Sequence, residues 1–292
     1  MRLVVQGSNI QLSHLQHIHQ LSHQPHGAQF VQIDQHAYYL PNQQSNIAVQ
    51  DFCREQKIDC AYVPEALTLQ HIQFAVMDMD STLINIECID EIADIAGIKP
   101  QIAAITDRAM RGELDFKQSL RERVALLNGL PESALNQVIN ERLQPNPGAQ
   151  RWMEVCKQFN IKTMLVSGGF EQFAHHVQKM LGIDFSAANR LEIIDQKLTG
   201  KVIGDIVDGQ AKADFMRYQA AQLGVKLSKT IAIGDGANDL IMMQAAAAGV
   251  AYHAKPIVQE QASFAINYCG LDAIVNLFKI SLSKSKLSSI QH

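Results

Sequence analysis

Cysteine is scarce and unpaired in this chain. The five present, Cys53, Cys60, Cys88, Cys156 and Cys269, are odd in number and scattered, with no CxxC spacing. That excludes a disulfide framework and reads as reduced thiols. Long apolar runs are also lacking. No stretch approaches the roughly 20 residues of a membrane-spanning helix, so no membrane partner is expected. The N-terminus carries one Arg and a short Leu3-Val4-Val5 run, which is not a signal-peptide pattern. These absences together predict a cytoplasmic location. An excess of positive charge is missing too: the formal net charge is −4, and nucleic acid is not an expected partner. No internal repeat is present. The composition is 47% hydrophobic and 18% charged, ordinary for a globular protein. A length of 292 residues suits one large domain or two smaller ones.

Composition shifts near residue 73. The first 73 residues hold 14 of the Gln and 7 of the 11 His, but only three Arg or Lys. Their pattern predicts strand 2–6, helix 11–22, strands near 29–33 and 36–40, helix 45–57 and strand 58–63. That is βαββαβ, the ferredoxin-like order, and residues 66–73 read as a linker. Beyond Phe74, strands and helices alternate, which predicts a parallel sheet covered on both faces. The strand candidates are 74–78, 161–166, 230–234, 249–252 and 263–267. Between the first two, helices are expected at 85–97, 100–111, 115–128 and 131–142, an α-helical insertion that would cap the sheet edge. Residues 189–208 alternate as a hairpin turning near Asp195-Gln196, and a helix is expected over 209–223. The predicted fold is therefore α/β: a Rossmann-like parallel sheet with a helical cap, plus a small N-terminal α+β layer. The expected domains are 1–73 and 74–280, with the cap at about 86–150 and a flexible tail over 281–292.

The most informative run is Asp78-Met79-Asp80-Ser81-Thr82, directly after the apolar Phe74-Ala75-Val76-Met77. It places two carboxylates one residue apart at the C-terminal edge of a strand, where open α/β sheets bind ligands. Alternation lets Asp78 and Asp80 face one cleft while Met79 points away. Two carboxylates side by side are costly without a cation or a shared proton. The pair therefore points to a divalent metal or to a nucleophile beside a proton donor. Strand 161–166 ends in Ser167-Gly168-Gly169-Phe170, a hydroxyl followed by glycines whose N–H groups can approach an anion. Lys212 follows on a helix. Strand 230–234 then runs into Asp235-Gly236-Ala237-Asn238-Asp239. Hard oxygen ligands of this kind suit Mg²⁺, and phosphoryl transfer needs charge neutralisation, positioning and a nucleophile.

In this order, DxDxT, Ser after a strand, Lys and GDGxND, the chain resembles the haloacid-dehalogenase-like phosphatases. Over about residues 74–280 it is similar to their phosphoserine phosphatase branch. The segments that carry the likeness are Asp78-Met-Asp-Ser-Thr-Leu-Ile-Asn-Ile-Glu87, Ser119-Leu-Arg-Glu-Arg123-Val, Val166-Ser-Gly-Gly-Phe170, Ala188-Asn-Arg-Leu191 and Gly234-Asp-Gly-Ala-Asn-Asp239. The resemblance implies Asp78 as nucleophile and Asp80 as general acid and base. It implies Mg²⁺ held by Asp78, Asp235 and the backbone carbonyl of Asp80, with Asp239 in support. Ser167, Gly168, Lys212 and Asn238 would bind phosphate. Glu87 and Arg123 would take the ammonium and carboxylate of the implied substrate, O-phospho-L-serine. Met77 and Met79 stand where the family often has Phe. The N-terminal layer resembles an amino-acid-binding ACT domain but is shorter. The shorter length leaves open whether residues 1–73 bind serine or another regulator, and because such modules often pair their sheets, a homodimer is allowed.

Blander readings attach to each residue. Asp78 and Asp80 could belong to a capped turn, Lys212 to a solvated helix face, and Glu87 and Arg123 to a helix surface. The ordered set outweighs these readings. His14, His17, His19, His23 and His26 form a cluster that reads as a polar helix surface rather than a metal site. His175 and His176, about 100° apart on a helix, suggest no joint role. Trp152 and Cys88 are expected in cores.

Overall fold

The computed structural model describes residues 1–22 and 27–278. The expected tail over 281–292 lies outside the described residues, as do His23 and His26. The N-terminal part runs β1 (Arg2–Gln6), α1 (Leu12–Leu21), β2 (Val31–Asp34), β3 (Ala37–Leu40), α2 (Ile47–Glu55) and β4 (Asp59–Val63). Its strands pair antiparallel in the order β2-β3-β1-β4. Alternation explains why β1 is buried along its whole length. Leu3 and Val5 join Leu15, Ile18, Val49 and Cys53 in a core under the two helices. Val4 faces the other way, with Ala61 and Val63 of β4, into the main core. His19 bonds the Ala28 carbonyl at 2.8 Å, and the rings of His14 and His17 flank Phe52. His14, His17 and His19 thus serve packing and a turn.

The second sheet holds β5 (Phe74–Met77), β6 (Lys162–Phe170), β7 (Phe185–Ile194), β8 (Lys197–Ile203), β9 (Thr230–Gly234), β10 (Ala248–Tyr252) and β11 (Phe264–Ile266). Their order is β11-β10-β9-β5-β6-β7-β8. All neighbours are parallel except the β7–β8 hairpin. Ala75 and Met77 point into one core and Phe74 and Val76 into the other, so helices cover both faces. Four helices rise between β5 and β6 as the cap: α3 (Cys88–Ile95), α4 (Lys99–Met110), α5 (Phe116–Ala125) and α6 (Ser133–Glu141). The remaining helices are α7 (Ala149–Gln158), α8 (Glu171–Leu181), α9 (Gly209–Gln222), α10 (Leu240–Ala245) and α11 (Pro256–Gln261). Among the described residues, no helix is long and apolar enough to cross a membrane.

Several boundaries differ from expectation for local reasons. Residues 85–87 are not helical, because Asn85 N–H bonds the Gln144 carbonyl and Ile84 bridges Pro145; the first cap helix starts at Cys88. The hairpin strand begins at Phe185, and its first half pairs parallel with β6. That half reads Phe-Ser-Ala-Ala, half-buried throughout, so it lacks the apolar alternation of a sheet strand. The hairpin turn falls at Asp195-Gln196 as expected, both at positive φ (49° and 60°), the conformation of a two-residue I′ turn.

Asp184 pins β6 to the start of β7. Its carboxylate accepts from the Thr163 N–H at 2.9 Å, the Thr163 hydroxyl at 3.0 Å and Lys162 at 2.6 Å. Partial burial pushes its acidity the other way, but Lys162 and Thr163 outweigh it and hold the carboxyl below the usual range. A depressed folded value means a contribution present above the unfolded value of about 3.9 and lost as pH falls through the folded value. Asp184→Asn is expected to cost about 1 kcal/mol or less at neutral pH, since Lys162 is exposed to solvent. Melting curves across pH check this: the gap from wild type should close in acid.

Candidate active site

The centre of the site follows from where β5 stops. Asp78 extends the strand by one rung, its N–H bonding the Ile233 carbonyl at 2.9 Å. Its side chain is buried between the C-terminal ends of β5 and β9. At Ser81 the chain turns through a positive φ of 55°, an uncommon conformation for a non-glycine residue. The turn sends the backbone away from the sheet toward the cap. Asn146 fastens it, its side-chain amide donating to the carbonyls of Ser81, Thr82 and Ile84 at 3.2, 2.9 and 3.0 Å.

The second component sits in a break in the β6–β7 ladder. Pairing stops at Val166↔Ala187 and resumes at Phe170↔Asn189, so Ser167, Gly168 and Gly169 bulge out of register. Bulges of this kind aim residues at sites. The Gly169 N–H donates to Ser167 Oγ at 2.8 Å. Asn189 holds the bulge, donating to the Gly168 carbonyl at 2.8 Å and accepting the Val207 N–H at 2.8 Å. A Cβ on Gly168 would stand 2.7 Å from the tip of the Phe116 ring on the cap, so a side chain there requires that ring to move.

Lys212 and the second acidic cluster complete the floor. Asp208 caps α9 by accepting the Ala211 N–H at 2.9 Å, which fixes Lys212 on the helix's first turn. Lys212 is fully buried, its ammonium 2.7 Å from Asp78 Oδ1 and 2.7 Å from Asp239 Oδ1. The Asp239 contact is a hydrogen bond. The Asp78 contact is a buried ion pair. Asp239 Oδ2 accepts the Gly236 N–H at 3.0 Å, and Thr82 donates to Asp235 Oδ1 at 3.1 Å.

Oxygens of Asp78, Asp235 and Asp239 lie within 4.8 Å of one another. Three carboxylates against the single Lys212 charge leave an excess of two negative charges in this cluster. Burial first, then Asp239, pushes the Asp78 carboxyl well above the usual range against the pull of Lys212. Burial and Asp239 likewise push Asp235 up to about 6. Burial opposes the Lys212 charge, but Asp239 and Asp78 outweigh it and hold the ammonium above the ordinary lysine range. The charge excess and the hard oxygen donors fit a divalent cation.

Asp80 is set apart from that cluster. Burial and Glu87 push its carboxyl up to about 7, against hydrogen bonds from Cys88. Its Oδ1 accepts from the Cys88 thiol at 2.8 Å. Burial also raises Glu87, whose Oε1 accepts from Ser81 Oγ at 2.7 Å. Arg123, on α5, is half-buried with Nε 3.4 Å from the Ser119 carbonyl. Burial pushes the guanidinium below the ordinary arginine range, against the pull of Asp90, Glu87 and Asp80. Lys117 of the same helix reaches Asp208 at 3.0 Å, tying the cap to the helix that carries Lys212.

One cavity of about 940 Å³ collects the predicted residues: Asp78, Asp80, Glu87, Arg123, Ser167, Gly168, Asp235 and Asn238 all line it. Lys212 and Asp239 lie beneath its floor, reaching it through Asp78. Apolar cap residues Met110, Leu114 and Phe116 face Ile241 and Ile257 across its mouth. Sequence reasoning missed the scaffold: Thr82, Asn146 and the thiol of Cys88 had no role assigned. The Pro145-Asn146-Pro147 run could have flagged Asn146 as a fixed turn. Nothing local to Cys88 points to Asp80.

The haloacid dehalogenase-like hydrolase family model matches residues 72–247. A phosphoserine phosphatase from a Polaromonas species is 50% identical over 218 residues, 73% of this chain and 92% of that protein. The unliganded crystal structure of a probable phosphoserine phosphatase from Vibrio cholerae superposes with a TM-score of 0.82 at 36% identity, covering 94% of this chain and 85% of that one. A solved phospho-aspartyl intermediate analogue of phosphoserine phosphatase matches with a TM-score of 0.67 at 39% identity, over 71% of this chain and 99% of that one. With a family model matched over residues 72–247, the chain belongs to the haloacid dehalogenase-like hydrolase family.

Proposed function

We propose that this chain is a phosphoserine phosphatase, hydrolysing O-phospho-L-serine to L-serine and phosphate, the closing step of serine biosynthesis. The observation that carries the substrate is the pairing of Glu87 and Arg123 on the cap, in the same cavity as Asp78 and Asp80. A carboxylate suits the substrate ammonium. A guanidinium suits its carboxylate, which it can grip at two points. The identity to phosphoserine phosphatases supports this reading, as does the likeness to a substrate-bound phosphoserine phosphatase complex.

An Asp78 oxygen attacks phosphorus while the phosphorus–serine oxygen bond breaks. The departing electron pair goes to the serine oxygen, which takes the proton of Asp80. The aspartyl-phosphate so formed splits one hard displacement into two easier ones. Asp80, now a carboxylate, removes a proton from water; that oxygen bonds phosphorus, and the Asp78 carboxylate is released. Ser167, the Gly168 backbone and Asn238 bind phosphoryl oxygens, and the buried Lys212 ammonium, held against Asp78, offsets developing charge. Asp78, Asp235 and the Asp80 carbonyl, with Asp239 in support, would hold Mg²⁺, which would neutralise phosphoryl charge. The cap keeps bulk water out while the intermediate stands.

Phosphate release from O-phospho-L-serine, with Mg²⁺ and with a chelator, tests the reading. The Arg123→Ala change is expected to raise KM about 10- to 100-fold, the loss of charge-assisted hydrogen bonds. Its effect on O-phosphoethanolamine, which has no carboxylate, should be far smaller. Equal losses on both substrates would remove Arg123 from substrate recognition. Turnover of only an unrelated phosphomonoester would keep the chemistry and overturn the substrate.

A further inference from the structure

Asp80 has two unlike oxygens. Oδ1 accepts from the Cys88 thiol at 2.8 Å. Oδ2 faces the phosphate loop, so close that a side-chain carbon on Gly169 would stand 2.8 Å from it and 3.1 Å from Ser167 Oγ. Cys88 is the first residue of α3 and fully buried, so its thiol meets this carboxyl group rather than solvent. A carboxylic acid can carry its proton on either oxygen. Only a proton on the oxygen nearer the phosphoryl group can pass to the leaving serine oxygen without a rotation of the group.

We propose that Cys88 is a positioning residue for this proton transfer: its S–H donates to Oδ1 of Asp80 and keeps the transferable proton on Oδ2. A thiol is ordinarily protonated at neutral pH and keeps its own proton throughout. As the phosphorus–oxygen bond breaks, its electron pair takes the Oδ2 proton and Asp80 becomes a carboxylate. A hydrogen bond to an ionised acceptor is the stronger kind. The thiol contact therefore tightens toward the transition state, and such differential binding accelerates a step. The inference rests on the reading of Asp80 as general acid.

A comparison of leaving groups tests both. Serine leaves as a poor alkoxide that needs a proton, whereas 4-nitrophenolate departs without one. kcat/KM reports the first bond cleavage for each substrate. Asp80→Asn is expected to lower kcat/KM for O-phospho-L-serine by about 10²-fold or more, and much less for 4-nitrophenyl phosphate. Cys88→Ala and Cys88→Val are expected to lower it about tenfold for O-phospho-L-serine, again with a far smaller loss on the aryl substrate. Cys88→Ser, which keeps a donor, should recover most of the activity. Packing alone ranks the variants the other way, because a buried hydroxyl is costlier than an apolar group. Val or Ala matching or exceeding Ser, or parallel losses on both substrates, would overturn the role of Cys88. Should Asp80→Asn itself lose both activities equally, the general-acid reading fails and the proposal with it. Melting temperatures of each variant separate misfolding from loss of the contact.

Discussion

Asp78→Asn is expected to abolish phosphate release, by about 10⁴-fold or more in kcat, while leaving the protein as stable as the wild type or more so. The loss follows from chemistry: an amide oxygen cannot form the aspartyl-phosphate, and removing a nucleophile of this kind has effects of roughly that size. The stability expectation follows from charge. Burial and the neighbouring Asp239 already push the Asp78 carboxyl well above its usual range, which means the folded state disfavours its ionised form. Neutral Asn relieves that repulsion and leaves Lys212 paired with Asp239 at 2.7 Å. Sites built for catalysis often hold groups that stability alone would not choose. Steady-state kinetics and thermal unfolding measured on one preparation check both halves. Retained activity, or a large fall in melting temperature, would remove Asp78 from the role given to it here.

Lys212→Met should do the opposite to stability. Its ammonium is wholly buried between Asp78 and Asp239. Methionine fills much of the same volume but leaves both carboxylates without their cation. Breaking a buried ion pair by removing one partner costs about 3–5 kcal/mol, because the remaining charge is stranded. Activity is expected to fall about 10²- to 10³-fold as well, the scale of losing one charge-stabilising donor at a transferring group. The pair of variants is thus diagnostic. Taking one negative charge out of the cluster removes function without unfolding, whereas taking out its positive charge lowers both. Denaturant unfolding of Lys212→Met without a midpoint shift would show that the lysine is not the counter-charge of the cluster.

The strands that carry the site were readable because each is a short apolar run ending in polar residues. Phe74 to Met77 into Asp78, and Thr230 to Gly234 into Asp235, are of this kind, and both are observed as central neighbours in the sheet. The cap helices were readable from their spacing and the Gly and Pro residues between them. Helix α7 is not among the helices expected from the sequence, although Trp152, Val155 and Cys156 recur at helical spacing. Helices α10 and α11, six residues each, are too short for periodicity to declare them. The first half of β7 was missed because its burial comes from β6 beside it, not from its own pattern.

By itself, the order of residues along the chain determined the alternation of strands and helices, the two-layer N-terminal segment, and the types of side chain delivered to one sheet edge. Those are local or periodic properties, written into neighbouring residues. Which oxygen of Asp80 meets a donor, where Lys212 finds its second carboxylate, and how Asn146 and Asn189 clamp the two loops were decided only by the tertiary structure. Lys212 and Asp239 stand 27 positions apart, and Asn146 and Ser81 stand 65 apart. Hydrogen bonds a few ångströms long depend on how whole elements pack, and no pattern within a single segment encodes that distance.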